Sequence, residues 1–305
     1  GYRPNAIARS LITNKSRIIA VVMAYLENLF YPDVLEELGR LLVKENYRLL
    51  LFTGFMDRDS DPVFDQLMQY RVDGIILAST SLSSALSEEC AAAGIPVVLF
   101  NRTTERDAVS SVTTRNREGG RRVAEFLLAG GHQRFAYISG LESSSTNRDR
   151  FAGYREALAQ AGHEDIIIEV GNYDRAEAEA ATRKILGRSD RPDAIFVAND
   201  HMAVAAMDVA RHEFGLAIPD DLSIVGYDDV GPARWSSYAI TTMSQPLKRM
   251  VEATVDLLMA QISSGVIEAE HRILNGELVV RNSARLPKTG VIEIDGRRIY
   301  KPGKS

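Results

Sequence analysis

Short continuous apolar runs alternate with amphipathic stretches along most of the chain, and that alternation constrains the fold more than any other feature. Residues 18–24 read Ile-Ile-Ala-Val-Val-Met-Ala, without charge and rich in β-branched side chains, as a strand covered on both faces of a parallel sheet must be. From Tyr31 the pattern changes: Val34, Leu35, Leu38, Leu41 and Leu42 recur at the spacing of one helical face. Strands are predicted at 49–52, 74–78, 96–100 and 110–113, with helices over 62–70, 83–93 and 116–129. Gly130-Gly131 should end the last of these through positive φ. The pattern then begins again. Strands at 135–139, 166–170, 194–198 and 223–226 alternate with helices near 148–161, 176–186 and 201–214, and a helix over 247–264 and a strand over 277–280 follow. Strands alternating with helices imply right-handed βαβ units and parallel sheets. Two such sets of similar size predict an α/β chain of two lobes, for which 305 residues are enough.

Charge and motif content then narrow the function classes. The net charge is −5, yet Arg3, Arg9, Lys15 and Arg17 are the only charged side chains in the first seventeen residues. Any nucleic-acid contact is therefore expected to be local and N-terminal, not spread over the surface. In that first stretch Pro4 sets its own φ, Asn5 can cap, and residues 6–11 are compatible with one or two helical turns. So short a helix is marginal alone, and the residues by themselves leave it open between a solvated basic tail and a segment that folds on a polyanion. No run of eighteen apolar residues and no signal h-region is visible, so neither a membrane span nor secretion is expected. The one cysteine, Cys90, can form no internal disulfide and reads as a small buried residue. There is no phosphate-binding glycine loop, no Gly-x-Ser-x-Gly, no His-Glu-x-x-His and no Cys-x-x-Cys. His201 and His212 stand three turns apart, too far to share a metal. Neither an enzyme nor a cofactor is expected.

In open α/β sheets ligands bind outside the carboxyl ends of the strands. The residues expected there are polar and aromatic: Asn28, Phe30 and Tyr31; Asn101 and Arg102; residues 146–150, which include Thr146 and Arg150; Asn172 and Tyr173; Asn199 and Asp200; Asp228 and Asp229. Rings can cover the apolar faces of a small polyhydroxylated molecule, and charged groups can pair with its hydroxyls. Each has a plainer reading. Asn199 or Asp200 can cap a helix, Asp228-Asp229 can open a turn, Phe30 and Tyr31 can be core, and Arg150 can lie on a solvated helix face.

Several segments in order resemble the lactose-repressor and galactose-repressor family of transcription regulators. They are Tyr2-Arg3-Pro4-Asn5-Ala6-Ile7-Ala8-Arg9-Ser10-Leu11, Val72-Asp73-Gly74-Ile75-Ile76, Gly94-Ile95-Pro96-Val97-Val98, Arg150-Phe151-Ala152-Gly153-Tyr154, Asn199-Asp200-His201-Met202-Ala203, Ile224-Val225-Gly226-Tyr227-Asp228-Asp229 and Leu278-Val279-Val280-Arg281. The resemblance implies two Rossmann-like lobes of the type I periplasmic-binding-protein fold, with an effector cleft between them. It implies a hinge over 1–15, a first lobe of 16–132 plus 246–268, and a second of 133–245 plus 269–286. Residues 287–305 read as an extension without a function. In the hinge, Tyr2, Pro4, Asn5, Ala8, Arg9 and Leu11 are implied to serve operator DNA, with Leu11 as a minor-groove wedge. The family's helix-turn-helix is expected to be missing from this chain. Phe30, Tyr31, Asn101, Arg150, Tyr173, Asn199 and Asp228 are implied to line the cleft, and Thr146 joins them by position. Arg150 would be the main donor, Asp228 the acceptor and Tyr173 the stacking ring.

Two departures qualify the likeness. Leu29 stands where the family usually has proline, and the segment Tyr238-Ala239-Ile240-Thr241-Thr242 lacks the usual prolines, which suggests Trp235 and Tyr238 as dimer-interface residues. The expected protein is thus a cytoplasmic, nucleoid-associated homodimeric regulator, in the first instance a repressor, responding to a sugar or sugar derivative. The alternative on the same fold is a periplasmic sugar-binding protein of a transporter.

Overall fold

The computed structural model describes residues 15–23, 26–53, 67–78, 89–90, 92–104 and 108–303. The hinge residues Tyr2, Pro4, Asn5, Ala8, Arg9 and Leu11 lie outside this set, as do most of the helices expected over 62–70 and 83–93. Two compact units emerge, the first from Gly1–Glu27, Tyr31–Thr113 and Leu247–Leu274, the second from Asn28–Phe30, Thr114–Pro246 and Asn275–Ser305.

In the first unit, β1 (Ile18–Met23), β2 (Arg48–Thr53), β3 (Gly74–Ala78), β4 (Val97–Phe100), β5 (Ser110–Thr114) and β11 (His271–Leu274) form one sheet. Its order is β11-β5-β4-β3-β1-β2, and the pairs from β2 through to β5 are parallel. Alternate residues of β1 face opposite ways. Ala20 and Val22 join a core with Ile75, Leu77, Val97 and Leu99, while Ile19, Val21 and Met23 are equally buried on the other face, which is why the run carries no polar residue. Helix α1 (Phe30–Lys44) turns Val34, Leu38 and Leu42 inward, and Leu35 and Leu41 flank that stripe half-buried. Each fully buried leucine of such a stripe contributes roughly 1.5–3 kcal/mol.

The second unit holds β6 (Phe135–Ser139), β7 (Ile166–Val170), β8 (Ala194–Val197), β9 (Ser223–Asp228), β10 (Thr241–Ser244), β12 (Leu278–Val279), β13 (Val291–Ile294) and β14 (Arg297–Tyr300). Five strands, β7-β6-β8-β9-β10, run parallel, and β12, β14 and β13 continue the sheet antiparallel. Its helices are α2 (Asn116–Ala129), α3 (Ser145–Gln160), α4 (Arg175–Leu186) and α5 (Asp200–His212), and α6 (Leu247–Ser264) belongs to the first unit. The end of α2 is as expected, except that Gly130 stays helical at φ −75° and Gly131 carries the positive φ, 81°.

The units differ from the expected lobes in four places, the first being Asn28–Phe30, expected in the first lobe and grouped with the second unit. Helix α2, expected with the first lobe, belongs to the second because its glycines seat α3 at backbone contact: a Cβ on Gly120 would stand 1.9 Å from the Arg150 carbonyl oxygen, and one on Gly153 1.8 Å from that of Arg117. Strand β11, expected with the second lobe, lies beside β5 in the first sheet, where Ser111 N donates to Glu270 O at 3.0 Å. Within the extension expected over 287–305, Val291–Ile294 and Arg297–Tyr300 are strands of the second sheet. Asp295 (φ 49°) and Gly296 (φ 73°) form the two-residue turn of the β13–β14 hairpin, the conformation that an Asp-Gly pair favours. Strand β10, Thr-Thr-Met-Ser, escapes a hydropathy reading because polar residues fill it although all four are buried. No helix among the described residues is long and apolar enough to cross a membrane.

Candidate functional site

The carboxyl ends of β6, β8 and β9 carry the chemistry of the second unit. β9 ends at Asp228, and Asp228 (φ 110°) and Asp229 (φ 59°) are successive non-glycine residues at positive φ, a strained corner that persists only where its surroundings hold it. Beside it α5 starts under the Asn199 cap, whose Oδ1 accepts from Met202 N at 3.0 Å. Helix α3 is capped by Ser144 and delivers Arg150 into this corner.

Arg150 is 2% exposed. Its Nε donates to Asn116 Oδ1 at 2.9 Å, Nη1 to the Ala198 carbonyl at 2.6 Å and Nη2 to Asp228 Oδ1 at 3.4 Å, while its guanidinium lies 3.5 Å over the Tyr227 ring. Gln245 Nε2 donates to the same Asp228 oxygen at 2.7 Å. Burial opposes the charge on Arg150, but the Asp228 carboxylate together with Tyr227, Tyr173 and Tyr137 outweighs it and leaves the guanidinium pKa above its ordinary value. The pair is therefore an ionised, desolvated donor and acceptor set side by side, with an arginine fork suited to hydroxyls or carboxylates.

Tyr173 (φ 61°) is buried, with its ring laid over Gly140, where a Cβ would stand 2.1 Å from the ring. Its hydroxyl lies 3.3 Å from Thr146 Oγ1 and 3.4 Å from Ser144 Oγ. Asn147 fixes the loop beneath by accepting from Tyr137 Oη at 2.8 Å and from Gly140 N at 2.9 Å. Asn199 spends its oxygen on the helix cap, and its buried Nδ2 has no hydrogen-bond partner among the described residues, a state that a buried donor rarely keeps without a ligand or water.

Asp200, one residue on, is fully buried. Its Oδ1 meets Thr242 Oγ1 at 2.7 Å and its Oδ2 meets Val230 N at 3.1 Å. Burial, with the Asp228 charge nearby, raises its pKa well above the usual carboxylate range. Of the two neighbouring acids, Asp228 thus pairs with Arg150, while Asp200, its pKa raised by burial, ties β10 to the Asp228-Asp229 corner. Asp229 turns the other way and accepts from Arg281 at 2.6 Å, Arg297 at 3.0 Å and Arg234 at 3.2 Å.

Arg150 and Asp228 are brought together, as are Tyr173 and Thr146, and Asn199 adjoins the Ala198 carbonyl that Arg150 binds. Tyr31 and Asn101 belong to the first unit. Phe30 and Tyr31 open α1 and are each 2% exposed, and Asn28 Oδ1 accepts from Phe30 N at 3.1 Å. Asn101 follows β4 at φ 58°, 3% exposed, with its Oδ1 lacking a hydrogen-bond partner among the described residues. Asn116, Tyr227 and Gln245 were invisible to sequence reasoning. Gln245 follows the unrecognised strand β10, Tyr227 read as part of a core strand, and Asn116 as the start of a helix. Among the described residues no group of three or more His, Cys, Asp or Glu is placed to hold a metal ion.

Comparison with known proteins agrees with this architecture. Residues 124–284 match the family model of the periplasmic binding protein-like domain. The HTH-type transcriptional repressor PurR of Vibrio campbellii is 31% identical over 290 residues, 93% of this chain and 86% of that protein. A solved complex of the transcriptional regulator CelR with cellobiose superposes with a TM-score of 0.81 at 29% identity, over 91% of this chain and 89% of that one. The LacI transcriptional regulator from a Rhodococcus species superposes with a TM-score of 0.78 at 26% identity, over 88% and 99%.

Proposed function

This chain belongs to the LacI family of transcription regulators and is an effector-responsive regulator; we propose that its effector is a sugar or sugar derivative bound on the second unit by Arg150 and Asp228. The buried, ionised Arg150–Asp228 pair carries this reading. A guanidinium donor beside a carboxylate acceptor matches two neighbouring hydroxyls, each of which donates and accepts. The Tyr173 ring offers a face to the apolar side of a pyranose, Thr146 steadies its hydroxyl, and the unpartnered Asn199 Nδ2 donates a further bond. Phe30 of the second unit and Tyr31 and Asn101 of the first are the further contacts we propose. Cellobiose in the CelR complex supports a carbohydrate effector. An uncharged molecule is favoured over a sugar phosphate, because the Asp228 carboxylate would repel a phosphate placed at Arg150.

In this reading the protein turns over no substrate. It is a homodimeric repressor on palindromic operator DNA, with Trp235 and Tyr238 at the dimer interface and residues Tyr2 to Leu11 as the hinge. The PurR of Vibrio campbellii and the Rhodococcus regulator are transcription regulators, which supports this reading over the transporter alternative. Effector binding shifts the conformational equilibrium, and operator affinity follows by linkage. The test is a thermal-shift screen of cellobiose, D-ribose, glucose 1-phosphate, hypoxanthine and guanine. A neutral sugar should raise the melting temperature, and Arg150→Lys and Asp228→Asn should each abolish that shift. Stabilisation by the nucleobases alone would overturn the reading.

A further inference from the structure

The hairpin β13–β14 has no place in the effector contacts above, and it lies beyond residue 284, where the family-model match ends. It is nevertheless built into the second unit. Ile299 and Tyr300 are 2% and 4% exposed, Leu278 pairs with Tyr300 across the antiparallel ladder, and the Tyr300 ring meets Phe126 edge-on at 5.3 Å. Arg297 opens β14 and donates from Nη2 to Asp229 Oδ2 at 3.0 Å.

Asp229 is the second residue of the strained corner whose first is Asp228. Its carboxylate is held at both oxygens by arginines rooted in the sheet: Arg281, just after β12, bonds Oδ1 at 2.6 Å, and Arg297 bonds Oδ2. Arg234 also bonds Oδ2, but it follows five residues later on the same loop and is 63% exposed in its side chain, so it can move with the corner instead of anchoring it. A carboxylate fixed at one oxygen still pivots; fixed at two by separate strands, it does not. We propose that the C-terminal hairpin is an arm that sets the effector site. Arg297, acting through Asp229, holds the Asp228-Asp229 corner in the conformation that aims the Asp228 carboxylate at Arg150 and the effector. Arg297 is a positioning residue; it touches Asp229 and not the bonded atoms of Asp228. The proposal rests on the reading of Asp228 as effector acceptor, and it adds a segment of the chain to that site.

The test compares Arg297→Ala and Arg297→Lys with Arg298→Ala, a neighbour whose guanidinium bonds Asn282 at 3.0 Å and not Asp229. The first readout needs no effector: amide hydrogen exchange over residues 227–235, with the fluorescence of Trp235, the one tryptophan of the chain and close to the corner. Arg297→Ala should speed exchange there about threefold or more while residues 291–300 stay protected, Arg297→Lys should restore most of the protection, and Arg298→Ala should change nothing. The second readout is calorimetric affinity for cellobiose or D-ribose, expected to weaken about fivefold to tenfold in Arg297→Ala at an unchanged melting temperature. Unaltered exchange over 227–235 would overturn the proposal. So would exchange that rises throughout the second sheet together with a lowered melting temperature, because the hairpin would then serve the fold alone. If neither sugar binds the parent protein, the reading of a sugar effector fails, and the exchange comparison still decides whether Arg297 sets the corner.

Discussion

Replacing Arg150 by alanine should destabilise the second unit strongly at neutral pH and progressively less in acid. The side chain makes three hydrogen bonds and covers the Tyr227 ring, so its removal takes one donor from each of Asn116 Oδ1, the Ala198 carbonyl and Asp228 Oδ1. Breaking a buried ion pair from one side typically costs about 3–5 kcal/mol, because the remaining charge is left unbalanced. Gln245 still donates to Asp228 at 2.7 Å, which places the expected loss toward about 3 kcal/mol. Without its counter-charge, buried Asp228 should bind a proton more readily folded than unfolded. A carboxyl whose folded pKa is raised adds stability below its unfolded value of about 3.9 and loses it as pH rises through the folded value. The deficit of the variant against the parent protein should therefore shrink by up to about 1.4 kcal/mol per pH unit on acidification through that window. Urea unfolding from pH 4.5 to 8, followed by far-ultraviolet circular dichroism, measures it. A loss below about 1 kcal/mol that is flat with pH would refute the assignment of Arg150 as the counter-ion of a buried Asp228.

Three further outcomes follow from the same geometry. Asn199→Ser keeps an oxygen able to cap α5 while removing the buried Nδ2 donor, so stability should nearly hold and sugar affinity fall, whereas Asn199→Ala should also lose about 1 kcal/mol of stability in urea titrations. Asp200 has a raised pKa, so its contribution is full below about pH 4 and wanes as pH rises through the folded value; Asp200→Asn should flatten that slope, and an unchanged pH–stability curve would argue against a neutral buried acid. Gly153→Ala places a Cβ 1.8 Å from the Arg117 carbonyl oxygen and should cost about 3 kcal/mol or more by prising α3 from α2, displacing Arg150 and with it any effector-induced thermal shift.

What the residues determine by themselves is local. Hydropathy period separates β1 from α1, because both faces of a central parallel strand must be apolar whereas a covering helix needs only a stripe. The end of α2 at Gly130-Gly131, the Asn199 cap and the Asp295-Gly296 turn are equally local, resting on φ preferences and bonds to nearby residues in the chain. Resemblance to a family implied effector-binding roles for Arg150 and Asp228, which spacing alone left as a helix-face arginine and a turn aspartate.

Tertiary structure decided everything that depends on partners distant in the chain. Arg150 and Arg148 sit two residues apart on α3, yet one is buried among Asn116, Ala198 and Asp228 and the other faces solvent, a difference no composition encodes. Strand β10 was hidden because its buried polar groups find partners on other strands and loops: Thr241 N donates to Ser283 Oγ, and Thr242 Oγ1 to Asp200 Oδ1. The unit boundary fell before α2 and not after it, since only the approach of Gly120 and Gly153 to facing backbone shows which helix that stretch embraces. The hairpin likewise announces its turn in sequence but not its purpose: that Arg297 meets Asp229, 68 residues away, is a fact about the folded sheet. Periodicity is a property of neighbours along the chain, whereas neutralising a buried charge is a property of the groups that folding gathers around it.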